Sequence, residues 1–524
     1  MYIVKVSPIS LEGTEILRRL FPEDDIQYLP QLDYKKMVNN EICKIPKQYK
    51  FLSDFITELP THKLINKGIT GCGGTTLELN AKRNSIILCP TKNLVLNKAK
   101  YGIGVTGDTK NVDINTYLKT ASIKYKKIIA TYDSLPRLME LIPDYYNYFL
   151  LIDEYHLLFN DYGFRNKAIF YLLKHFREFK NWCFLTATPI KPEFILDELS
   201  DVDTLTYEWE AATLVNTQIK DTPFIQKELL SLIEYYKDKC NLHIFINSVD
   251  TIRNIVKKLD TDDYRVICST NSKGKVLHFK DVNSKVCKLN FYTSCAFEGV
   301  DIYDKNGRCI IICDSNVSTT MLDISTKVRQ ICGRIRDSKY KNECTIILNT
   351  KRHRYAGTSK DDFMNIVKDS EERGKRREEL INTFSQYDYE TELKLYSPTT
   401  AYNLYLNLFD NKIFYDVNLK HIDLYNYNLI SEIYNNTISV ISELHENNFK
   451  VKPLKIELSN KYITIEEGMY TYEQLKSKYE EHLLKDFGIK WNNRTINKYF
   501  PKHIKKDVHR NRITQKMYIF KKEL

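Results

Sequence analysis

Short apolar segments that alternate with longer amphipathic stretches constrain the fold of this chain more than any other feature. Five such segments lie between residues 61 and 205, and five more lie between 206 and 350. The ten segments are KLINKGI (63–69), SIILCPT (85–91), KKIIATY (126–132), YFLLIDE (148–154), WCFLTAT (182–188), LHIFINS (242–248), YRVICST (264–270), KLNFYTS (288–294), RCIIICD (308–314) and CTIILNT (344–350). Strands that alternate with helical spacers predict βαβ units and a parallel sheet buried on both faces. The pattern therefore predicts two consecutive α/β domains, residues 61–205 and 206–350.

The remaining segments have a different texture. Residues 1–60 precede the first clear strand and are predicted to form an N-terminal accessory segment. Residues 351–465 are mostly helical in spacing and include the highly charged stretch SEERGKRREEL (370–380), which is typical of a solvated helix. A basic segment, 466–524, ends the chain of 524 residues, a length that favours several domains over one core.

Composition favours a reduced cytoplasmic protein. No apolar run is long enough to cross a membrane, and MYIVKVSPIS lacks the features of a signal peptide. The 12 cysteines contain no C-x-x-C pair, and several fall inside strand segments. We therefore expect thiols that serve as small core residues rather than as metal ligands.

The stretch GITGCGGTT (68–76) is similar to a phosphate-binding loop of the form GxxxxGK[ST], except that Gly74 occupies the lysine position. It lies between a strand and a predicted helix, where such a loop must lie. Its glycines permit a close approach of the backbone to phosphate, and Thr75 occupies the Mg²⁺-ligand position. A glycine-rich turn of purely structural origin is the alternative.

Two later stretches add carboxylates and hydroxyls at strand ends. LLIDEYH (150–156) ends an apolar strand with Asp153, suited to holding Mg²⁺, and Glu154, suited to polarising an attacking water. LTATP (185–189) ends the next strand with hydroxyl groups that can link a nucleotide site to a moving domain.

These motifs together resemble the superfamily 2 helicases and translocases over residues 61–350. GITGCGGTT resembles motif I, CPTKNLV (89–95) motif Ia, ATYDSL (130–135) motif Ib, IDEYH motif II of the DExH type and TATP motif III. HIFINS (243–248) is similar to motif IV, TSCAFEGVDI (293–302) to motif V and QICGRIR (330–336) to motif VI. The resemblance implies two tandem RecA-like parallel-sheet domains that hold ATP and Mg²⁺ between them.

The resemblance also implies a role for each matching residue. Asp153 and Glu154 would be the magnesium ligand and the catalytic base, and Gln330, Arg334 and Arg336 would line the second face of the nucleotide cleft. The cofactor-binding set would be Gly68, Gly71, Cys72, Gly73, Gly74, Thr75, Thr76, Gly299 and Asp301, with Thr75 and Asp153 holding Mg²⁺. The nucleic-acid backbone would be approached by Pro90, Thr91, Thr131 and Thr293. Capping of helices is the structural alternative for the threonines.

Gly74 is the departure from the family pattern. Loss of a lysine from a triphosphate site removes a charge-assisted contact worth roughly 1.5–3 kcal/mol. Another cation, Lys67, Lys63 or Lys82, could replace it, Mg²⁺ and the backbone could suffice, or catalysis could be lost. Lys67 directly precedes Gly68, although strand geometry could point it away from the loop.

The C-terminal segment carries most of the net charge. Residues 485–524 contain twelve Lys or Arg and three Asp or Glu, which gives +9 of the chain's +11. TYEQLKSKYEEHLLKDFGI (471–489) begins with a T-x-x-Q capping box, NNRTINKYF (492–500) has the pattern of a second helix, and two strands follow around a basic turn. This arrangement resembles a small winged-helix DNA-binding domain of phage and plasmid replication proteins. Its DNA contacts would be Arg494, Asn497, Lys498, Arg510 and Arg512.

The sequence thus predicts an ATP-dependent DNA helicase or translocase, with DNA favoured over RNA as the partner and no membrane association. Phage or mobile-element replication in a bacterial host is the suggested setting. A catalytically weak or inactive helicase-like scaffold that binds DNA is the first alternative, and a DExH-type RNA helicase is the second.

Overall fold

The structure is a computed structural model. It describes residues 3–6, 38–211, 214–282, 284–350, 359–454, 468–487, 491–492, 495–496, 503–510 and 513–520. These residues divide into two units. The larger contains the described residues up to Pro223 together with Lys239–Leu454, and the smaller contains Phe224–Asp238 and the described residues after Leu454.

The first sheet of the larger unit has nine strands. In chain order they are β1 (Ile3–Val6), β2 (Asn40–Ile45), β3 (Lys63–Asn66), β4 (Ser85–Cys89), β5 (Ile103–Val105), β6 (Lys127–Thr131), β7 (Phe149–Asp153), β8 (Asn181–Thr186) and β9 (Thr204–Trp209). Their spatial order is β1, β2, β9, β3, β8, β7, β4, β6, β5, and all pairs except β1 with β2 are parallel. Every residue of β4 and β7 is buried, as expected for strands covered on both faces.

The second sheet has seven strands, all parallel. They are β10 (Val215–Asp221), β11 (Asn241–Phe245), β12 (Tyr264–Ile267), β13 (Leu289–Tyr292), β14 (Gly307–Asp314), β15 (Glu343–Asn349) and, after a hairpin of β16 (Leu406–Phe409) and β17 (Lys412–Tyr415), β18 (Phe449–Pro453). The order in the sheet is β12, β13, β11, β14, β15, β10, β18. The fold class predicted from the sequence is confirmed as two consecutive parallel-sheet α/β domains followed by a mainly helical region.

Helices lie between these strands along the chain. Those before residue 350 are α1 (Gly74–Asn80), α2 (Lys92–Lys98), α3 (Asn111–Lys119), α4 (Leu135–Leu141), α5 (His156–Asn160), α6 (Tyr162–His175), α7 (Ile225–Tyr236), α8 (Val249–Val256) and α9 (Arg329–Cys332). Those after it are α10 (Lys360–Ile381), α11 (Gln386–Leu395), α12 (Pro398–Tyr402), α13 (Val417–Tyr427) and α14 (Thr437–Glu446). Among the helices of the described residues, none is long and apolar enough to span a bilayer.

The helical region packs on both sheets. Phe363, Tyr405 and Leu419 belong to the apolar core on one face of the first sheet. Ile433 and Val440 belong to the core of the second sheet. Residues 359–454 therefore form part of the same unit as the two sheets, and their strand β18 extends the second sheet beside β10.

The described C-terminal residues belong to the smaller unit. Strands β19 (Gly468–Thr471), β20 (His503–Arg510) and β21 (Ile513–Phe520) form an antiparallel sheet, and α15 (Tyr472–Phe487) follows β19. The expected capping box is present: Thr471 Oγ1 accepts from the N–H of Gln474 at 3.2 Å, and Gln474 Oε1 accepts from the N–H of Thr471 at 2.8 Å. The winged-helix-like arrangement stays a prediction, because most of the expected second helix lies outside the described residues.

Candidate active site

The loop after β3 turns on glycines. Gly68, Gly71 and Gly73 have φ angles of +75°, +79° and +83°, a region that side-chain-bearing residues rarely adopt. A Cβ on Gly68 would lie 2.2 Å from the carbonyl oxygen of Tyr207 in β9. The loop therefore needs glycine at Gly68 for both its backbone angle and its packing.

Gly74, the residue at the lysine position of the motif, begins α1. A Cβ there would lie 2.8 Å from Cδ2 of Leu185 and 3.3 Å from Cδ1 of Leu52. Both leucines are completely buried. Apolar core thus fills the space in which a side chain at position 74 would begin, and a cation for this loop has to come from another position.

Lys67 brings its ammonium group to the carboxylates of motif II. Its Nζ lies 2.9 Å from Oε1 of Glu154 and 3.8 Å from Oδ1 of Asp153, and Lys67 is only 5% exposed. Burial opposes the charged form, but the attraction of Glu154 and Asp153 outweighs it and raises the pKa of Lys67. Of the other two cations considered, Lys63 pairs with Glu41 at 2.9 Å and Lys82 is exposed. The side chain of Lys67 therefore points toward Asp153 and Glu154 at the end of β7, a direction that the sequence did not determine.

Asp153 joins the strand end of β7 to the phosphate loop. The hydroxyl of Thr75 donates to its Oδ2 at 2.7 Å, and Asp153 is 1% exposed. Lys98, at the end of α2, places its Nζ 3.9 Å from the same oxygen. The two residues predicted to hold Mg²⁺ are thus in direct contact, and Lys98 is a nearby cation that the sequence motifs did not indicate.

Glu154 is the most highly connected carboxylate of the cleft. Its φ of +52° is unusual for a non-glycine residue. Its Oε2 accepts from Nε2 of Gln330 at 3.0 Å and from the hydroxyl of Thr186 at 3.3 Å. Burial disfavours its charge, but the charges of Lys67 and His156 and the hydrogen bond from Lys67 together outweigh burial and hold the pKa of Glu154 well below its usual range. The side chain is therefore a carboxylate at neutral pH.

Residues of motif VI reach this carboxylate from the second domain. Gln330 is completely buried and also donates to the hydroxyl of Thr188 at 3.1 Å. Its Oε1 accepts from Nη2 of Arg334 at 2.6 Å, and its carbonyl oxygen accepts from Nε of Arg334 at 2.8 Å. Gln330 thus connects Arg334 in the second domain with Glu154 and the motif III threonine in the first.

Arg336 faces the phosphate loop. Its Nε donates to Oδ1 of Asp301 at 2.6 Å, and its Nη1 would lie 2.9 Å from a Cβ on Gly71. Arg329, at the start of α9, donates to the carbonyl oxygen of Gly68 at 3.3 Å. The guanidinium group of Arg336 therefore lies beside Gly71, and that of Arg329 contacts the loop directly. Motif comparison missed Arg329, because it precedes QICGRIR.

The structure separates the two motif V residues of the predicted cofactor set. Asp301 pairs with Arg336 beside the loop, whereas Gly299 packs on α2 of the first domain. A Cβ on Gly299 would lie 2.2 Å from Cγ of Leu94, and its carbonyl oxygen accepts from Nδ2 of Asn97 at 3.3 Å. Gly299 thus joins motif V to motif Ia rather than to the phosphate loop.

The two other loop residues predicted to bind cofactor differ in exposure. Cys72 is 1% exposed, and burial raises the pKa of its thiol to about 11. Thr76 is exposed. Cys72 turns its side chain into the core, so only its backbone is available to a phosphate group.

The residues predicted to meet the nucleic-acid backbone have local partners in the two sheets. Thr91 caps α2 by accepting from the N–H of Leu94 at 3.3 Å. The hydroxyl of Thr131 lies 2.9 Å from that of Ser134, and Thr293 is 3.5 Å from the carbonyl oxygen of Ile267. The carbonyl oxygen of Pro90 accepts from Nη1 of Arg165 at 2.6 Å. For Thr91 the capping role is realised, and it leaves the second oxygen lone pair available.

Most residues of the predicted C-terminal DNA contact lie outside the described residues. Arg494, Asn497, Lys498 and Arg512 are not described. Arg510 ends strand β20, and only its backbone is described. Their DNA-binding role stays a prediction.

No protein-family model and no curated protein matches the sequence. Among solved structures, Dbp5 of S. cerevisiae bound to RNA and ADP BeF3 is 12% identical with a TM-score of 0.39, over 59% of this chain and 83% of that one. The E. coli DExH-box NTPase HrpB is 13% identical with a TM-score of 0.35, over 55% of this chain and 39% of that one. The roles of Lys67, Asp153 and Glu154 are therefore inferred from the contacts of these residues and not from these similarities.

Proposed function

We propose that the chain is an ATP hydrolase that uses its two α/β domains to move along nucleic acid. The observation that carries the proposal is the convergence on Glu154 of groups from both domains. Lys67 Nζ lies 2.9 Å from Oε1, and Gln330 Nε2 lies 3.0 Å from Oε2. A carboxylate held from both sheets changes its surroundings whenever the sheets move apart or together. Hydrolysis and domain movement would thus be linked at this residue.

The residues around the loop fit a magnesium triphosphate. Gly71 lies in the loop that leads into α1, and the absence of a side chain there would let the backbone approach a phosphate group beside Arg336. The Thr75 hydroxyl and the Asp153 carboxylate, in contact at 2.7 Å, are the hard oxygen ligands that Mg²⁺ prefers and would hold it. Mg²⁺ would neutralise charge on the phosphate oxygens.

Lys67 would replace the missing lysine of the loop. In the structure its ammonium group is shared between Glu154 and Asp153. Phosphate oxygens would compete with Glu154 for Lys67, and the carboxylate, which is ionised at neutral pH, would then be free to accept a proton from water. Arg336, beside Gly71, is the guanidinium group best positioned to meet charge on the transferring phosphate.

Duplex DNA is the substrate that the proposal favours. The support is the concentration of +9 of the net charge in residues 485–524, where a phosphate backbone would find it. Capping and strand pairing in the described C-terminal residues are compatible with a small folded DNA-binding unit.

The proposal is tested by measuring ATP hydrolysis alone, with duplex DNA and with RNA of the same sequence, for the chain and for Glu154→Gln. DNA-stimulated turnover that Glu154→Gln abolishes would support the proposal. Stimulation by RNA alone would favour the RNA helicase alternative.

A DNA-binding scaffold without hydrolysis is the second candidate. Gly74 favours it, because Leu185 and Leu52 exclude the side chain that phosphate loops place there. Salt-sensitive DNA binding that ATP does not alter, with hydrolysis no greater than that of Glu154→Gln, would select this candidate.

A further inference from the structure

Three cysteine side chains meet in the core of the second domain, behind the cleft. Cys309 lies in β14, Cys344 in β15 and Cys332 at the end of α9. Their sulfur atoms all lie within 4.8 Å of one another, and those of Cys309 and Cys344 are 3.9 Å apart. Cys309, Cys332 and Cys344 are buried, with exposed fractions of 3%, 8% and 1%, respectively.

The fold fixes this meeting. Cys309 and Cys344 are paired neighbours in adjacent parallel strands, so their side chains leave the same face of the sheet. The segment that follows α9 forms a β-bridge with Ile302. The N–H of Ile302 donates to the carbonyl oxygen of Arg334 at 2.9 Å, and the carbonyl oxygen of Ile302 accepts from the N–H of Arg336 at 3.0 Å. Rigid elements on both sides therefore hold the three thiols together.

The spacing suits a thiophilic cation. Two thiolates bound tetrahedrally to Zn²⁺ at about 2.3 Å are roughly 3.8 Å apart, close to the 3.9 Å between Cys309 and Cys344. Thiolate ligands select soft ions over Mg²⁺. We infer that Cys309, Cys332 and Cys344 form a three-thiolate site for Zn²⁺, separate from the magnesium ligands of the cleft.

Binding of a cation replaces the thiol protons of the cluster. Hydrogen bonds from Cys309 and Cys344, and then the charge of Arg329, lower the pKa of Cys332, whereas contacts among the sulfurs raise the pKa values of Cys309 and Cys344. Three thiolates with one Zn²⁺ carry a net charge of −1, which the guanidinium group of Arg329 can offset, whereas that of Arg308 pairs with Glu343 at 2.7 Å. Binding releases the thiol protons, so affinity rises with pH.

The site would join motif VI to the second sheet. Cys332 is two residues from Gln330 and two from Arg334. A cation bound to all three sulfurs would anchor α9 to β14 and β15 and so limit the movement of these two cleft residues. This inference does not depend on the proposed ATP hydrolysis, because its readout is metal binding.

The experiment uses the full chain, purified under reducing conditions and stripped with a chelator. Cd²⁺ is titrated as a spectroscopic substitute for Zn²⁺, and the thiolate-to-cadmium absorption band gives the stoichiometry. Zn²⁺ is then added to displace Cd²⁺, and the thermal midpoint is measured with and without Zn²⁺. We expect one Cd²⁺ per chain, displacement by Zn²⁺ and a higher midpoint with Zn²⁺.

Variants locate the ion. Cys309→Ala and Cys344→Ala are each expected to lose the stoichiometric band and the Zn²⁺-dependent shift. Cys313→Ala is the matched control, since Cys313 is buried on the same face of β14 but outside the cluster. It is expected to retain both signals, and circular dichroism verifies that each variant is folded.

Three outcomes would overturn the inference. The first is absence of the band in the unmodified chain, and the second is Cd²⁺ binding by folded Cys309→Ala and Cys344→Ala that equals binding by the unmodified chain. The third is a disulfide between any two of the three cysteines in protein purified without a reductant. The last would remove two ligands and make the cluster a redox pair.

Discussion

Replacement of Lys67 by methionine tests whether this residue supplies the cation that the loop lacks at Gly74. Methionine preserves much of the length of the side chain and removes its charge. The change leaves Glu154, which is buried beside Lys67, without its closest cation. Two separate losses are expected, one in stability and one in ATP affinity.

The magnitudes follow from the burial of the pair. Removal of one partner of a buried ion pair costs about 3–5 kcal/mol of the free energy of unfolding. Loss of a charge-assisted contact to phosphate costs about 1.5–3 kcal/mol, which is a roughly 10- to 150-fold weaker Kd for ATP. Urea unfolding gives the first quantity, and nucleotide titration of the folded variant gives the second.

Matched variants separate the two effects. Lys63→Met removes a lysine from the same strand, but its pair with Glu41 is partly exposed and is expected to contribute about 0–1 kcal/mol. Adding Glu154→Gln to Lys67→Met removes the uncompensated charge and is expected to restore stability but not ATP affinity. If Lys67→Met is less stable yet binds ATP within about threefold of the unmodified chain, Lys67 is a structural partner of Glu154 and the reasoning is refuted.

Three further substitutions have defined outcomes. Gly68→Ala is expected to lower the free energy of unfolding by at least about 1–3 kcal/mol, because Gly68 has a positive φ and a backbone oxygen lies 2.2 Å from its Cβ position. Gly107→Ala, which has open space around it, is expected to have little effect in the same urea titration. Equal effects of the two substitutions would contradict this expectation. Arg336→Ala is expected to lower kcat with little loss of stability. Arg334→Ala is expected to lower both kcat and stability, because the guanidinium group of Arg334 is buried and bonded to Gln330. An unchanged kcat in Arg336→Ala would exclude its role at the phosphate. Burial raises the pKa of Asp161 to about 6, so the folded state favours the protonated side chain, and its contribution to stability is fully present below about pH 4 and is lost as the pH rises through 6. Asp161→Asn is expected to be more stable than the unmodified chain by up to about 3 kcal/mol at pH 7, and the difference is expected to vanish at pH 4. No difference at pH 7 would contradict the expected penalty.

Nine of the ten strand segments that the sequence predicted in the two domains lie inside a sheet, and the tenth, β12, is a fully buried edge strand. SIILCPT and YFLLIDE contain β4 and β7, where burial on both faces demands continuous apolar runs. Strands β1, β2, β5, β9, β10 and β18 were not predicted. They lie at or near the sheet edges, and several of them mix polar with apolar residues, as the alternating exposure of β10 illustrates. Partial exposure removes the apolar signal on which the prediction depended.

Motif order predicted which residues belong to the cleft, but not how they connect. Lys67 follows the end of β3, and the positive φ of Gly68 begins the loop directly after it, so strand alternation could not fix its direction. The cysteine cluster was missed for a related reason. Cys309 and Cys344 are 35 residues apart and meet only through strand pairing, and local spacing rules for metal ligands cannot detect such a contact.

The most direct test of the account is the initial rate of phosphate release from ATP at saturating nucleic acid, for the unmodified chain and for Glu154→Gln. Glu154 contacts groups of both domains, so the account predicts nucleic-acid-dependent release by the unmodified chain and a loss of at least about 100-fold in the variant. Equal rates in the two proteins would contradict it and would make the cleft a structural junction.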